Sequence, residues 1–277
     1  MNTNSNTYTV IYSTILVVVV AAVLAFAATA LKEKQDENVK VDTISQILTA
    51  ADIAYTENDV LDVYMKNVEK AILVNVEGQE VGTLNTTDAK GLQVYGNSEL
   101  KAQIAADAKN LPVYIFKNGI VVVPCYGAGL WGPIWGYIGI KEDLTIQKAC
   151  FGHKGETPGL GAKITDQPEV FADKYAGKTI TAEILVAKNV TGANDVNAIS
   201  GATITSTSAG VMVNQWLGFY QGYFGVDSQE CCKEKCCKEE CCGEACDKSC
   251  EKACGTEQAC EQQCCAEGCC ESTESNN

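Results

Sequence analysis

The chain has 277 residues and a formal net charge of −14, and all 21 of its basic residues are lysine. The absence of arginine and of any basic patch argues against nucleic acid as a partner, because phosphate and base-edge contacts depend on clustered cationic side chains. A bound phosphate group would also find no guanidinium fork, so helix-terminal amides and hydroxyl groups would have to hold it. Once the atypical ends are set aside, about 190 residues remain, which fits one domain.

An uncharged stretch runs from Val10 to Leu31 and is wholly aliphatic from Ile15 to Val20. Because about 20 apolar residues suffice to cross a bilayer, this stretch predicts a single transmembrane helix, with residues 1–34 as the anchor. A cleaved signal peptide is the alternative, since residues 25–30 contain small-x-small sites, but no lysine precedes the stretch to form the usual positive region.

The charges that follow the stretch bear on its orientation. Lys32, Lys34 and Lys40 lie just beyond it. By the positive-inside rule these lysines would keep that side cytoplasmic, and the neighbouring acidic residues count little against them.

Residues 35–226 are predicted to form one α+β domain of antiparallel strands with flanking helices. Helical spacing of apolar residues predicts helices at residues 42–52 and 59–71, with Asp42 and Asp59 as caps. Strands are predicted at residues 71–76, 111–123, 137–140, 145–151 and 179–186, with an Asn-Gly hairpin turn at residues 118–119. A short helix is predicted at residues 168–175, with a proline near its start.

Two glycine-rich runs, at residues 127–139 and 152–161, are predicted to lie at strand ends. Small residues there let a flat ring approach the backbone, and an aromatic face can lie beside it. Trp131 or Trp135 could contact such a ring, or both could fill the core or an interface. Glu156 could accept a hydrogen bond from a ring N–H, or it could cap the turn that follows it.

A hydroxyl-rich segment, Ser-Gly-Ala-Thr-Ile-Thr-Ser at residues 200–206, is predicted to begin the last helix. Several of its side chains could act as N-caps, and Gly201 lets the backbone approach closely. An anion placed there would meet free amides and the positive end of the helix dipole. The alternative is a small-residue turn that only caps the helix.

Cysteines are distributed unevenly, since only Cys125 and Cys150 precede position 231 and fourteen follow it. These two are predicted to be buried thiols, with a disulfide as the alternative in an exported domain. His153, the only histidine, is predicted to be a solvated or hydrogen-bonded side chain rather than a proton relay.

The cysteine-rich tail, residues 227–277, contains no Cys-x-x-Cys pair, which counts against zinc ribbons, thioredoxin-like pairs and ferredoxin clusters. An interval of four places thiols on one helix face, close enough to share Cu(I) or Zn. The candidate ligands are Cys242, Cys246, Cys250 and Cys254, and no metal site is predicted in residues 35–226. A disulfide-stapled mini-domain and an unstructured low-complexity extension remain alternatives.

The segment Ser200-Gly201-Ala202-Thr203 resembles the flavinylation motif of FMN-binding domains. In that family the threonine carries FMN through a phosphoester bond to its hydroxyl oxygen, so the resemblance implies covalent FMN on Thr203. The family usually has aspartate three residues before the serine, whereas this chain has Asn197, which keeps the size of the side chain but loses its charge.

Two further runs resemble the C subunit of the sodium-translocating NADH:quinone oxidoreductase. These are Gly-Leu-Trp-Gly at residues 129–132 and Glu-Thr-Pro-Gly-Leu-Gly at residues 156–161. The G subunit of the Rnf complex shares the second run, whereas the first run is typical of the sodium-translocating enzyme. The resemblance covers roughly residues 8–226 and implies that the flavin site includes Trp131, Glu156, Thr157, Gly159 and Leu160.

The resemblance also implies a role. It predicts an electron-carrying subunit of an enzyme that transfers electrons from NADH to ubiquinone and moves sodium, located in the cell inner membrane with its flavin domain in the periplasm. That orientation conflicts with the lysines after the anchor. Electrons would pass from an iron-sulfur centre in neighbouring membrane subunits to the FMN of the large subunit, and a flavin transferase would attach the cofactor. The alternatives are an Rnf-type flavin subunit and a membrane-tethered protein that binds soft metals through its tail.

Overall fold

The computed structural model describes residues 6–88, 91–106 and 108–226. The cysteine-rich tail and its candidate ligands Cys242, Cys246, Cys250 and Cys254 lie outside the described residues. Within them the architecture is one long N-terminal helix and an antiparallel sheet with flanking helices, so the predicted α+β fold class is confirmed.

Helix α1 (Asn6–Ala50) is 45 residues long, about 67 Å at 1.5 Å per residue. It is the one helix in the described part of the chain that is long and apolar enough to cross a membrane. Its last turns, by contrast, bury Ile44, Ile47 and Leu48. The prediction of a separate helix capped by Asp42 was therefore wrong, because residues 32–50 contain no glycine or proline to interrupt α1.

Six strands form the main sheet in the order β2-β1-β3-β4-β5-β6, and every neighbouring pair is antiparallel. Their bounds are β1 Val68–Val74, β2 Glu80–Thr83, β3 Leu111–Phe116, β4 Val121–Ala128, β5 Pro133–Ile140 and β6 Ile146–His153. The remaining helices are α2 Val60–Asn67, α3 Asn97–Ala105, α4 Lys163–Asp166, α5 Thr203–Phe219 and α6 Gln221–Phe224. Two short parallel strands, β7 Val186–Ala187 and β8 Val196–Asn197, pair separately.

Several boundaries differ from the sequence expectations. The helix predicted to reach residue 71 ends at Asn67, where the β-branched and aliphatic residues of β1 take over. The Asn-Gly turn at residues 118–119 is confirmed as the β3–β4 hairpin, with Gly119 at φ +81°. Residues 168–175 form two short 3₁₀ turns rather than one helix.

The strand predicted at residues 179–186 is mostly absent. Thr179 makes a single bridge to Thr145, and only Val186 belongs to a strand. Between them the side chain of Asn214 takes the place of a strand neighbour, since it accepts a hydrogen bond from the amide of Ile184 and donates one to the carbonyl of the same residue.

The two faces of the sheet are covered by different helices. Helix α5 covers one face, where Trp216 and Tyr220 are buried in the larger core. The end of α1 and helix α2 cover the other face, where Tyr64 and Tyr137 are buried. Gly139 makes the second contact possible, because a Cβ atom there would run into the carbonyl group of Ala50.

Cys125 and Cys150 are both free thiols. Cys125 pairs with Gly136 and Cys150 with Tyr137, and consecutive residues of a strand point to opposite faces. The two thiols therefore lie on opposite sides of the sheet, which rules out a disulfide between them. Burial raises the pKa of both, that of Cys150 to about 12. The buried-thiol prediction is confirmed for Cys125, while Cys150 is half-buried.

Candidate functional site

The predicted site residues meet where three segments converge: the β4–β5 turn, the loop after β6, and the start of α5. The turn is closed by a 2.9 Å hydrogen bond from the amide of Trp131 to Oε1 of Glu156 and by a 2.8 Å hydrogen bond from the amide of Gly129 to the carbonyl of Gly132. The hydroxyl of Thr205 donates to Oε2 of Glu156 at 2.6 Å. Glu156 thus joins all three segments.

The Glu156 carboxylate is buried, with 4% of the residue exposed. Two glycines leave room for it, because a Cβ atom on Gly129 or on Gly161 would collide with its oxygens. The amide of Glu156 donates to Nδ1 of His153 at 3.3 Å, so the single histidine is hydrogen-bonded within the loop.

The residues after Glu156 fold into a compact turn. The carbonyl of Thr157 accepts hydrogen bonds from the amides of Leu160 and Ala162, both at 3.1 Å. Gly159 has φ +74°, a conformation that favours glycine. The turn places Leu160 against the hydroxyl-rich segment, since a Cβ atom on Gly201 would lie 3.1 Å from its Cδ2.

The hydroxyl-rich segment makes a tight turn into α5. Gly201 has φ +81°, and Thr203 is the first residue of the helix. The expectation that a hydroxyl caps this helix was wrong, because the N-cap residue is Ala202 and no side chain makes a capping hydrogen bond. The amides of the first turn have no partner within the helix, which keeps them available to an anion.

The hydroxyl groups of the segment are used elsewhere. Oγ of Ser206 accepts from the amide of Ile199 at 3.0 Å and donates to the carbonyl of Ala202 at 2.8 Å, so it holds the turn closed. Thr207 donates to the carbonyl of Thr203 at 3.0 Å. Sequence reasoning missed the role of Ser206, although a hydroxyl three residues after the motif threonine was the available signal.

The hydroxyl-bearing residues of the segment differ in how exposed they are to solvent. Thr205 and Ser206 are buried, whereas Thr203 is half-buried and Ser200 is exposed. Of the motif residues, Ala202 is buried and Gly201 is exposed.

Exposed apolar side chains lie on the three segments that meet at the start of α5. Trp131 is 69% exposed, a large value for tryptophan, and three aliphatic side chains of these segments are also exposed. We call this group the apolar rim: Leu130, Trp131, Leu160 and Ile204. Trp135, the other tryptophan candidate, faces away from the site, because its Nε1 donates to Oε1 of Gln46 in α1 at 2.8 Å.

A shallow groove of about 310 Å³ lies beside α5, one to three turns beyond Thr203. It is lined by the end of β4 and by one side of the helix: Gly127, Ala128, Thr207, Ser208, Val211, Met212 and Gln215. A helix N-terminus beside exposed apolar side chains suits a flat ring that carries a phosphate group.

Asn197 stabilises the approach to the motif with both ends of its amide. Its Oδ1 accepts from the amide of Val190 at 3.2 Å, and its Nδ2 donates to the carbonyl of Val190 at 3.3 Å. An aspartate could make only the first of these contacts, because an ionised carboxylate has no donor. The asparagine at this position, where the family usually has aspartate, thus makes a hydrogen bond that an aspartate could not make.

Comparison with known proteins defines the class. A family model described as FMN-binding domain matches residues 129–218, which include the β4–β5 turn, Glu156 and the start of α5. These residues therefore form a domain of the FMN-binding class, and FMN is the cofactor that this class takes.

Similar proteins narrow the class further. The chain is 28% identical to the C subunit of Na(+)-translocating NADH-quinone reductase from Haemophilus ducreyi over 77% of its own length and 90% of the relative's. The corresponding values for the Yersinia pestis protein of the same name are 28%, 78% and 90%.

Two solved structures have the same fold. The crystal structure of the C subunit from Parabacteroides distasonis is 32% identical, with a TM-score of 0.60, over 71% of this chain and 98% of that one. The Shewanella oneidensis NqrC structure is 28% identical, with a TM-score of 0.54, over 70% and 98%. The chain belongs to the NqrC family, the C subunits of Na(+)-translocating NADH-quinone reductase, as the sequence resemblance predicted.

Proposed function

We propose that the chain is the membrane-anchored electron-transfer subunit of a sodium-translocating NADH:quinone oxidoreductase and that it carries FMN covalently on Thr203. The observation that carries this proposal is the position of Thr203, a half-buried residue that begins α5 and directly precedes Ile204 of the apolar rim. Its relatives bear the name of the C subunit of such an enzyme.

All the predicted site residues except Glu156 have a role in holding FMN in this proposal. Thr203 Oγ1 would carry the phosphoester, and the amides of the first turn of α5 would hold the phosphate group. Ser200, Gly201 and Ala202 make the turn that presents the threonine. Trp131 and Leu160 would contact the isoalloxazine ring, and the turn formed by Thr157 and Gly159 positions Leu160. When bound, FMN supplies one-electron and two-electron redox chemistry.

Attachment requires a separate flavin transferase. Transfer of FMN from FAD to Thr203 would form a bond from Oγ1 to phosphorus and break the pyrophosphate P–O bond of FAD. AMP would leave, and the hydroxyl proton would pass to a base of the transferase. Thr205 is a poor competing acceptor, because its hydroxyl is buried and already donates to Glu156.

The protein works within a larger assembly of membrane subunits. We propose that its cofactor lies between an iron-sulfur centre in neighbouring subunits and the FMN of the large subunit, with the domain on the periplasmic side. A covalent bond suits such a location, since a cofactor lost outside the cytoplasm could not be replaced. Lys32, Lys34 and Lys40 favour the opposite orientation. The orientation can be tested in intact cells by measuring whether a thiol reagent that does not cross membranes labels the cysteines of residues 227–277.

The first prediction concerns Thr203. In cells that contain the transferase, we expect Thr203→Val to abolish flavin fluorescence of the denatured polypeptide in a gel. Thr49→Val is the control, because Thr49 is also a half-buried threonine within a helix, α1, and belongs to none of the segments that form the site. It should retain the flavin. Fluorescence that persists in Thr203→Val would refute the assignment of the attachment residue.

A further inference from the structure

We infer that Glu156 is a positioning residue, which holds the backbone of Trp131 against the start of α5 so that the indole stands beside the flavin attachment residue. The inference rests on the proposed function for the identity of the ligand. The contacts that support it are formed by the protein alone.

The two oxygens of the carboxylate connect two distant segments. Oε1 accepts from the amide of Trp131, 25 residues away, and Oε2 accepts from the hydroxyl of Thr205, 49 residues away. Neither of the two ion pairs found among the described residues includes Glu156, so neutral donors alone stabilise this buried carboxylate. Hydrogen bonds to a charged acceptor are the stronger kind.

The surrounding backbone is built to admit this carboxylate. A Cβ atom on Gly161 would collide with Oε2 of Glu156 and would lie 2.8 Å from Oγ1 of Thr205. A Cβ atom on Gly129 would lie 2.5 Å from Oε1. Two glycines from different loops therefore leave space for the side chain of Glu156. A residue that only capped its own turn would not need a glycine from a distant loop.

The consequence for Trp131 is a fixed backbone with a free side chain. Its amide is bonded to Glu156, while the residue as a whole is 69% exposed. Glu156 has hydrogen bonds from the protein on both oxygens, so we assign it to the support of Trp131 rather than to contact with the reacting atoms. An indole on a backbone held in this way can stack on a flat ring without a further cost for ordering the backbone.

Two substitutions distinguish a role of Glu156 in positioning Trp131 from a role of its negative charge. Glu156→Gln keeps an acceptor for the amide of Trp131, and its NH₂ group can donate to the hydroxyl of Thr205, which accepts as well as donates. Glu156→Ala removes both contacts. If the role is positioning, the glutamine variant should behave like the natural chain and the alanine variant should not.

The test uses the full chain and two measurements. In protein made without the transferase, amide hydrogen exchange of peptides that cover residues 129–132 should be about tenfold faster in Glu156→Ala and within about twofold of natural in Glu156→Gln. In flavin-loaded protein, stacking on Trp131 should quench flavin emission. We therefore expect brighter emission in Glu156→Ala and in Trp131→Ala, but not in Glu156→Gln.

Controls keep the test decisive. Glu169→Ala removes an exposed glutamate and should change neither measurement. If Glu156→Ala does not fold, Thr205→Val removes one of the two donors and should give part of the effect, while Thr205→Ser should restore natural behaviour.

The inference is overturned if exchange in Glu156→Ala is unchanged, or if Glu156→Gln is as disturbed as Glu156→Ala. Failure of the proposed function would look different. Flavin would then persist in Thr203→Val, whereas the hydrogen-exchange difference, measured without flavin, would remain.

Discussion

Two regions of the molecule expose apolar side chains, and they do so in different ways. Between Val10 and Leu31 the exposure extends around the whole circumference of α1. At the apolar rim it is confined to one side, and the same loops bury Glu156 and Thr205 directly underneath.

The difference fits what is proposed to cover each region, a membrane around the stretch and a bound ring on the rim. Lipid surrounds a helix on all sides, so a membrane segment needs apolar residues throughout but no particular atom at any position. A bound ring covers one side only, and it requires single atoms in fixed places. A membrane anchor at this stretch would thus be specified by composition, whereas the proposed site is specified by geometry.

The largest expected effect is on stability, and it comes from comparing a tryptophan of the core, Trp216, with a tryptophan of the apolar rim, Trp131. Trp216 is 1% exposed, and its Nε1 donates to the carbonyl of Tyr126 at 2.7 Å. Trp216→Ala should lower the free energy of unfolding by about 3–5 kcal/mol. Trp131→Ala should change it by no more than about 0.5 kcal/mol, because that side chain is mostly exposed. Denaturant titration in detergent measures both values, and a large loss in Trp131→Ala would show that Trp131 belongs to the core.

The membrane segment gives the next largest effect. Val20→Lys places a charge near the middle of the apolar stretch, which disfavours insertion by about 2.5–3.5 kcal/mol. The fraction of the chain that resists carbonate extraction from membranes should fall. Val20→Leu should have no effect, and neither should Val39→Lys, since Val39 lies in the charged part of α1 beyond the stretch. Equal extraction of Val20→Lys and the natural chain would contradict the assignment of this segment to the membrane.

Features that depend on composition or on short-range chemistry were predictable from the sequence. The apolar stretch, the Asn-Gly hairpin at residues 118–119 and the helix that begins at Thr203 all follow from local pattern. The continuity of α1 was missed, because a change from apolar to charged residues resembles a domain boundary even where no glycine or proline interrupts the helix.

Contacts between distant segments were not predictable. No local signal pairs Asn214 with the backbone of Ile184, or Thr205 with Glu156, because these contacts form only when the helix packs on the sheet. Short motifs did identify the runs that converge at the site. They gave no indication that Trp135 turns away from the site towards α1 while Trp131 stays exposed.

The smallest expected effect is the change in stability on replacing one atom group of Asn197, at the border of the site. Asn197→Asp changes one donor group into an acceptor, so the hydrogen bond from Nδ2 to the carbonyl of Val190 is lost and two oxygens face each other. Because Asn197 is exposed, the expected loss of stability is only about 0.5–1.5 kcal/mol. Denaturant titration above and below the pKa of the new carboxyl group should show the loss shrinking at low pH, where a protonated carboxyl can donate again. An unchanged stability at neutral pH would mean that the amide of Asn197 contributes nothing to this loop, and that geometry is less strictly specified there than at Glu156.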